Sequence, residues 1–275
     1  MGRRSIAQAS PRDWLTSDNL NLLQKTPAAT MNSVTPQESN IPPALVHLPA
    51  SGPVDLCFVL LHGLGADAAS MEPVRAALRA QYPQAALVSL NGPLSLAEGG
   101  QAWFAVEGLN DLDAEVLEQR LAERLEQALP ALVQRVQAWA KHFELDWERV
   151  ALAGFSQGAT LALEAVQAQD RLAGRVLAFS GGHVRLPKHA PHEVSIHLLH
   201  GLDDAMVPYP PVVNMARTLV SLGADITADV LPGVGHELHP KLVDKAMEQL
   251  RTFLPARLWR AAQAAAAEQD QQTKH

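Results

Sequence analysis

Gly154-Phe155-Ser156-Gln157-Gly158 sets a serine between two glycines, directly after the apolar run Arg149 to Ala153 and directly before the helix-like run Thr160 to Val166. A G-x-S-x-G turn between strand and helix strains the serine backbone and pushes its hydroxyl out over the sheet, and the small residues let strand and helix approach closely. Five-residue matches with two glycines arise by chance, so the flanking strand and helix give this one its weight. A serine hydroxyl is a poor nucleophile near neutral pH. It needs a base to take its proton and an acid to hold that base in the right tautomer. With this kind of elbow the chain order is serine, acid, histidine, each on a loop after a later strand.

Asp203 and Asp204 both follow the strand-like run Ser195 to His200, and His236 follows the run Ile226 to Leu231 in the loop Gly233-Val234-Gly235-His236. Of the 11 histidines, His236 alone meets both the order and the loop requirement. Adjacent loop residues point in different directions, so one of the two aspartates should reach the histidine while the other caps or solvates the turn. Attack on a carbonyl creates an oxyanion, which fixed backbone N–H groups stabilise. By position these are the N–H of Gln157, directly after the serine, and the N–H of Leu64 in His62-Gly63-Leu64-Gly65, where the glycines permit close backbone approach.

Other candidates have simpler explanations. His197 and His200 fall on opposite faces of a strand, and His200 fits a supporting role in the turn before Asp204. His62 reads in the same way. His236-Glu237-Leu238-His239 lacks the spacing that sets two metal ligands on one helical face, so no metal is assigned. The glycine loop at 62–65 lacks a full G-x-G-x-x-G or a following Gly-Lys-Ser/Thr, which disfavours nucleotide binding. Cys57 lies mid-strand, where a small buried apolar role is usual.

The elements that must carry these residues alternate. Leu56 to Leu61 reads as a buried strand ending in the glycine turn, Ser70 to Tyr82 as a helix and Ala85 to Leu90 as a strand. Asn91 to about Asn110 is a long Gly-rich loop carrying Trp103 and Phe104, a candidate substrate wall. From Asp113 the apolar positions recur every three to four residues as far as Trp139, predicting a long amphipathic helix, or two joined near Pro130. The nucleophile strand and helix follow, then strands at 175–180, 195–200 and 226–231 and helices at 211–222 and 238–253. Strands that read as apolar runs and alternate with helices predict an α/β fold, its mainly parallel sheet covered on both faces. In such a sheet ligands bind beyond the carboxyl ends of the strands, where His62 to Gly65, Gly154 to Gly158, His200 to Asp204 and Gly233 to His236 fall.

At 275 residues the chain suits one large domain. It is read as a weakly ordered tail at 1–43, a catalytic domain at 44–256 and an Ala/Gln-rich extension at 257–275 that a surface helix could fill. Met31 is an alternative start to Met1. A net charge of −7 with scattered Lys and Arg argues against a nucleic-acid partner. The longest apolar runs argue against stable membrane insertion. A lone cysteine and the lack of an apolar leader make the cytoplasm the default expectation.

With Leu61 to Gly65, Gln101 to Phe104, Gly154 to Ala159, His200 to Pro208 and Gly235-His236 in this order, the chain resembles the phospholipase/carboxylesterase family, which includes acyl-protein thioesterases. The likeness runs from about Leu56 to Phe253 and is nearest to the bacterial esterase members. It implies an α/β-hydrolase fold, Ser156, Asp204 and His236 as the triad, and Leu64 and Gln157 as oxyanion donors. Asp204 is chosen over Asp203 because the family's acid precedes a residue pair leading to Val-Pro, here Asp204 to Pro208. Gly65-Ala66-Asp67 departs from the more usual Gly-Asp.

The expected activity is hydrolysis of small-molecule carboxylic esters or thioesters of short to medium acyl chains through an acyl-enzyme, with no cofactor. Trp103, Phe104, Leu64 and Met206 are candidates for an apolar acyl channel. A long-chain lipase or acyl-protein depalmitoylase is the first alternative, although no lid helix stands out. A non-catalytic binding module is the second. A homodimer is compatible with the sequence.

Overall fold

A computed structural model describes residues 44–109 and 112–272. The expected N-terminal tail, Met31 included, lies outside the described residues. The elements are β1 (Ala44–His47), β2 (Leu56–Leu61), α1 (Glu72–Gln81), β3 (Ala85–Leu90), β4 (Leu94–Ser95), β5 (Gln101–Ala102), α2 (Ala114–His142), β6 (Val150–Phe155), α3 (Gln157–Ala168), β7 (Arg175–Phe179), β8 (Ser195–Gly201), α4 (Tyr209–Ser221), β9 (Asp225–Leu231), α5 (Pro240–Thr252) and α6 (Ala256–Gln272).

Seven strands form one sheet in the order β1-β3-β2-β6-β7-β8-β9. Edge strand β1 runs antiparallel to β3, and every other pairing is parallel. Successive side chains on a strand point to opposite faces. Along β2, Cys57, Val59 and Leu61 pack with α2, α3 and α4, whereas Phe58 and Leu60 pack with α1 and α5. A strand buried on both faces must be apolar throughout, which is why β2, β6 and β7 read as runs rather than as alternations.

From β2 the chain turns outward to β3, then returns to the other side of β2 as β6 and continues to β9. The strand order therefore reverses between β2 and β6, and a crevice opens beyond the carboxyl ends of strands at such a point. Those two ends carry His62-Gly63 and Ser156. The sheet brings them side by side although 93 residues separate Gly63 from Ser156 in the chain.

One local feature differs from the sequence reading, and one alternative it left open is decided. The segment after Asn91 is not wholly irregular, because β4 and β5 pair as a short hairpin and Gln101 bridges to Ala66. Helix α2 runs unbroken for 29 residues through Pro130. Pro130 and Glu126, whose carbonyl loses its helical partner there, are both exposed, so water can satisfy that oxygen. Leu117, Leu121, Leu125, Leu132, Val136 and Trp139 bury one stripe across the proline and hold the two halves in line.

Helix α6 occupies the Ala/Gln-rich end and is tied down at its start. Ala256 N–H donates to Asp225 Oδ2 at 3.0 Å and Arg257 to the Gly174 carbonyl at 2.9 Å. Among the described residues no helix is long and apolar enough to cross a membrane. Burial pushes the Cys57 thiol up to about 12, which leaves it protonated and inert.

His197, buried on β8, shares a hydrogen bond with Thr227 Oγ1 at 2.8 Å. Burial, and after it the charge of Arg175, hold its imidazole down to about 3. An unfolded histidine takes a proton near pH ~6.5. The unfolded chain thus binds more protons than the folded one between about pH 6.5 and about 3, and stability present above that window is lost as pH falls through it. Burial lowers His62 and His200 in the same sense. Urea unfolding from about pH 7 to about pH 4 should show stability falling by up to about 1.4 kcal/mol per pH unit for each such histidine. His197→Gln should flatten that slope, and an unchanged slope would remove His197 as its source.

Candidate active site

Ser156 ends β6 and precedes α3 with φ 53° and ψ −115°. A positive φ is costly for a residue with a Cβ, of order 1–3 kcal/mol, and persists only where the surroundings enforce it. Here they do. Ser156 N–H donates to the Phe179 carbonyl at 2.9 Å, and its own carbonyl accepts from Ala159 and Thr160, each at 3.0 Å. A Cβ on Gly154 would stand 2.3 Å from the Gly158 carbonyl oxygen, and one on Gly158 would stand 2.3 Å from that of Leu61. Only glycine at both positions lets strand, helix and β2 pack this closely.

The structure brings the three candidate side chains together. His236 Nε2 lies 3.0 Å from Ser156 Oγ, and its Nδ1 lies 2.8 Å from Asp204 Oδ2. The Phe155 ring packs 5.0 Å from the imidazole. The other carboxylate oxygen of Asp204 accepts from the N–H groups of Met206 at 3.0 Å and Val207 at 2.8 Å. Burial pushes the Asp204 carboxyl up. The hydrogen bond and charge of His236, the Val207 N–H and His200 outweigh that, leaving the group below the usual carboxylate range and ionised.

His200 sits 3.4 Å from Asp204 Oδ2 and donates its Nε2–H to the Val207 carbonyl at 2.7 Å. It supports the acid's turn, as its place before that turn suggested. Asp203 has a separate task. Its Oδ2 accepts from Gly233 N–H at 2.9 Å and its own N–H donates to the Val234 carbonyl at 3.0 Å, fastening the acid loop to the histidine loop.

Above the serine passes the loop Gly63-Leu64, so close that a Cβ on Gly63 would lie 3.4 Å from Ser156 Cβ. The His62 ring donates from Nδ1 to the Gly63 carbonyl at 2.7 Å and accepts the Gly92 N–H at Nε2 at 2.9 Å. A second donor, Ala66 N–H, holds the same carbonyl at 3.2 Å. In a planar trans peptide the C=O and the following N–H point opposite ways, so fixing the Gly63 carbonyl fixes the direction of the Leu64 N–H. Among the described residues neither Leu64 N–H nor Gln157 N–H has an acceptor.

Trp103 and Phe104 are 3% and 6% exposed and join the core beside Leu64. The Trp103 indole donates to the His62 carbonyl at 2.8 Å, bracing the glycine loop. Met206 is half-buried beside Asp204. The Gln157 side chain has a role that its position gave no hint of. Its Oε1 accepts the Trp103 N–H at 2.8 Å and its Nε2 donates to the Phe104 carbonyl at 2.9 Å. His239, the second histidine of the metal-like sequence, caps α5 instead by accepting the Lys241 N–H at 3.1 Å.

This sheet, with a serine elbow at its reversal point and a histidine on a later loop, defines the α/β-hydrolase class. Solved structures of that fold superpose on it. Esterase PE8 gives a TM-score of 0.68 at 26% identity, covering 77% of this chain and 98% of that one. The carboxylesterase from Mesorhizobium loti gives 0.64 at 19% identity, covering 79% and 98%, and speaks to the fold alone. Esterase YpfH of Escherichia coli (strain K12) is 30% identical over 204 residues, 74% of this chain and 85% of the relative. Acyl-protein thioesterase 1 of Gibberella zeae is 30% identical over 116 residues, 39% of this chain and 49% of the relative. The sequence model of the phospholipase/carboxylesterase family matches residues 48–255, and the chain belongs to that family of esterase-type hydrolases.

Gln157→Ala would strand the buried Trp103 N–H and the Phe104 carbonyl. The expected loss is about 1–3 kcal/mol. For a chain of this size that lowers Tm by roughly 2–4 °C per kcal/mol, measurable by calorimetry, and an unchanged Tm would deny the side chain its role in holding the Trp103 loop.

Proposed function

We propose that the chain hydrolyses carboxylic esters or thioesters of short to medium acyl chains through an acyl-enzyme on Ser156. Ser156 Oγ attacks the carbonyl carbon while His236 Nε2 takes its proton, and the oxyanion accepts from the N–H groups of Leu64 and Gln157. His236 then returns that proton to the departing alcohol or thiol. In the second half-reaction water attacks the acyl carbon, gives its proton to His236, and Ser156 leaves as the restored hydroxyl. Asp204 remains ionised throughout and stabilises the imidazolium.

The observation that supports this reading most is the unbroken bond sequence from Ser156 Oγ through both imidazole nitrogens to a buried, ionised carboxylate. Oxygen esters and thioesters ask the same of these groups. An apolar setting for the acyl group is supported by Trp103 and Phe104, which share a core cluster with Leu64 and are bonded to the Gln157 side chain. Met206, half-buried where the other three candidates are buried, is the one most able to meet an acyl group.

Ser156→Ala should abolish turnover of p-nitrophenyl butyrate and labelling by a fluorophosphonate probe, with an unchanged circular dichroism spectrum. Retained turnover would defeat the reading. Asp204→Asn should keep the fold and lower kcat by about 10³–10⁴. Across p-nitrophenyl esters from acetate to palmitate and the matching acyl-CoA thioesters, activity should fall toward the longest chains. A maximum at palmitate would favour a lipase or depalmitoylase instead.

A further inference from the structure

At the opposite edge of the sheet, by the amino ends of β2, β6 and β7, a cavity of about 200 Å³ lies between the strand starts and the C-terminal segment. Leu56, Phe58, Val150 and Leu250 give it apolar walls, and Arg175 and Arg257 line it as well. Arg257 lies over the Trp147 ring at 5.6 Å and donates to the carbonyls of Gly174 at 2.9 Å and Glu193 at 3.3 Å. Its Nε–H is buried with no partner. Arg175 reaches the carbonyls of Leu250 and Phe253 only at 3.4 and 3.5 Å, at the outer limit of hydrogen bonding.

Among the described residues neither guanidinium has a carboxylate within 4.0 Å. The acidic groups felt by Arg175 are the Tyr82 hydroxyl, which also lines the cavity, and half-buried Asp225, whose Oδ2 already accepts from Ser195 Oγ at 2.6 Å and Ala256 N–H at 3.0 Å. Glu148 and Arg149 also line the cavity, but both are exposed and screened by water. Both arginines are half-buried, and cations drawn partly out of water favour an anionic partner. Here two like charges share a cavity and burial, followed by the charge of Arg257, depresses the ionisation of Arg175.

We propose that this cavity binds a small organic carboxylate with an apolar body. The carboxylate accepts from the guanidinium groups of Arg175 and Arg257 that line the cavity, as planar guanidinium groups favour. The apolar body lies against Leu56, Phe58, Val150 and Leu250. This site is separate from Ser156 and stands whether or not that serine is the nucleophile.

Hexanoate titrated calorimetrically into the full chain should bind, with affinity reduced about tenfold or more in Arg175→Met and in Arg257→Met. Hexanol, which lacks the charge, and inorganic phosphate, which lacks the apolar body, should each bind more weakly than hexanoate. No binding of hexanoate, undiminished binding by either arginine variant, or equal affinity for hexanol or phosphate would each overturn the proposal. Should either variant fail to fold, crystals of the unaltered chain with 6-bromohexanoate decide it. Anomalous bromine signal inside this cavity supports the assignment, and signal elsewhere only, or none, refutes it.

Discussion

The left-handed backbone of Ser156 is the constraint on which the site depends. Such a conformation costs energy, and three pieces of main chain pressed together hold it. Helix α3 lies on β6 at Gly154 and Gly158, and Gly158 in turn touches the end of β2, so a single Cβ at either glycine would push these elements apart. The same contact that forces the serine upward draws the Gly63-Leu64 loop over it. The aim of the hydroxyl toward the crevice and the position of the facing backbone donor are therefore one geometric fact. They arise from the reversal in strand order that makes β2 and β6 neighbours.

The acid and the histidine reach this point by a second close approach. A Cβ on Gly201 would lie 2.2 Å from the Val234 carbonyl oxygen, so the loops after β8 and β9 also meet backbone to backbone. Leu202 N–H to the Leu231 carbonyl at 2.8 Å and the two bonds of Asp203 lock them together. Asp204 can then face inward, where backbone N–H groups and histidine N–H groups keep it charged despite its burial. Burial meanwhile holds His200 in its neutral form. A permanent cation there would compete with His236 for the same carboxylate.

Much of this was legible in the order of residues because the strongest signals are local. A strand covered on both faces has to be an apolar run, and an elbow has to carry small residues on either side of its serine, so β2, β6, α3 and Ser156 could be placed from short windows. His236 followed from chain order, whereas Asp204 was set apart from Asp203 by the family resemblance alone, since adjacent aspartates look alike in the sequence. What escaped depends on distance in the chain. The Gln157 amide meets backbone groups 54 and 53 residues away, and no periodicity encodes that. Pro130 gave an ambiguous signal for a related reason. Whether a proline breaks a helix depends on whether its orphaned carbonyl faces water, which only packing decides.

The polar groups around Ser156 have an arrangement with consequences for how a reaction there would run. The His62 ring uses both nitrogens, the Gln157 side chain uses both ends of its amide, and Trp103 N–H and Asp204 are satisfied. A group with all its bonds made has little reason to rotate. The two N–H groups left over, on Leu64 and Gln157, belong to the main chain and inherit their direction from peptide planes whose neighbours are already bound. Donors of this kind need no reorientation when charge appears on a substrate oxygen, and that lack of reorganisation is what makes fixed dipoles more effective than water. His62 thereby acts at a distance. Protonating it would remove the acceptor for Gly92 N–H, and its depressed basicity keeps that acceptor in place at neutral pH and holds the loop above the serine still.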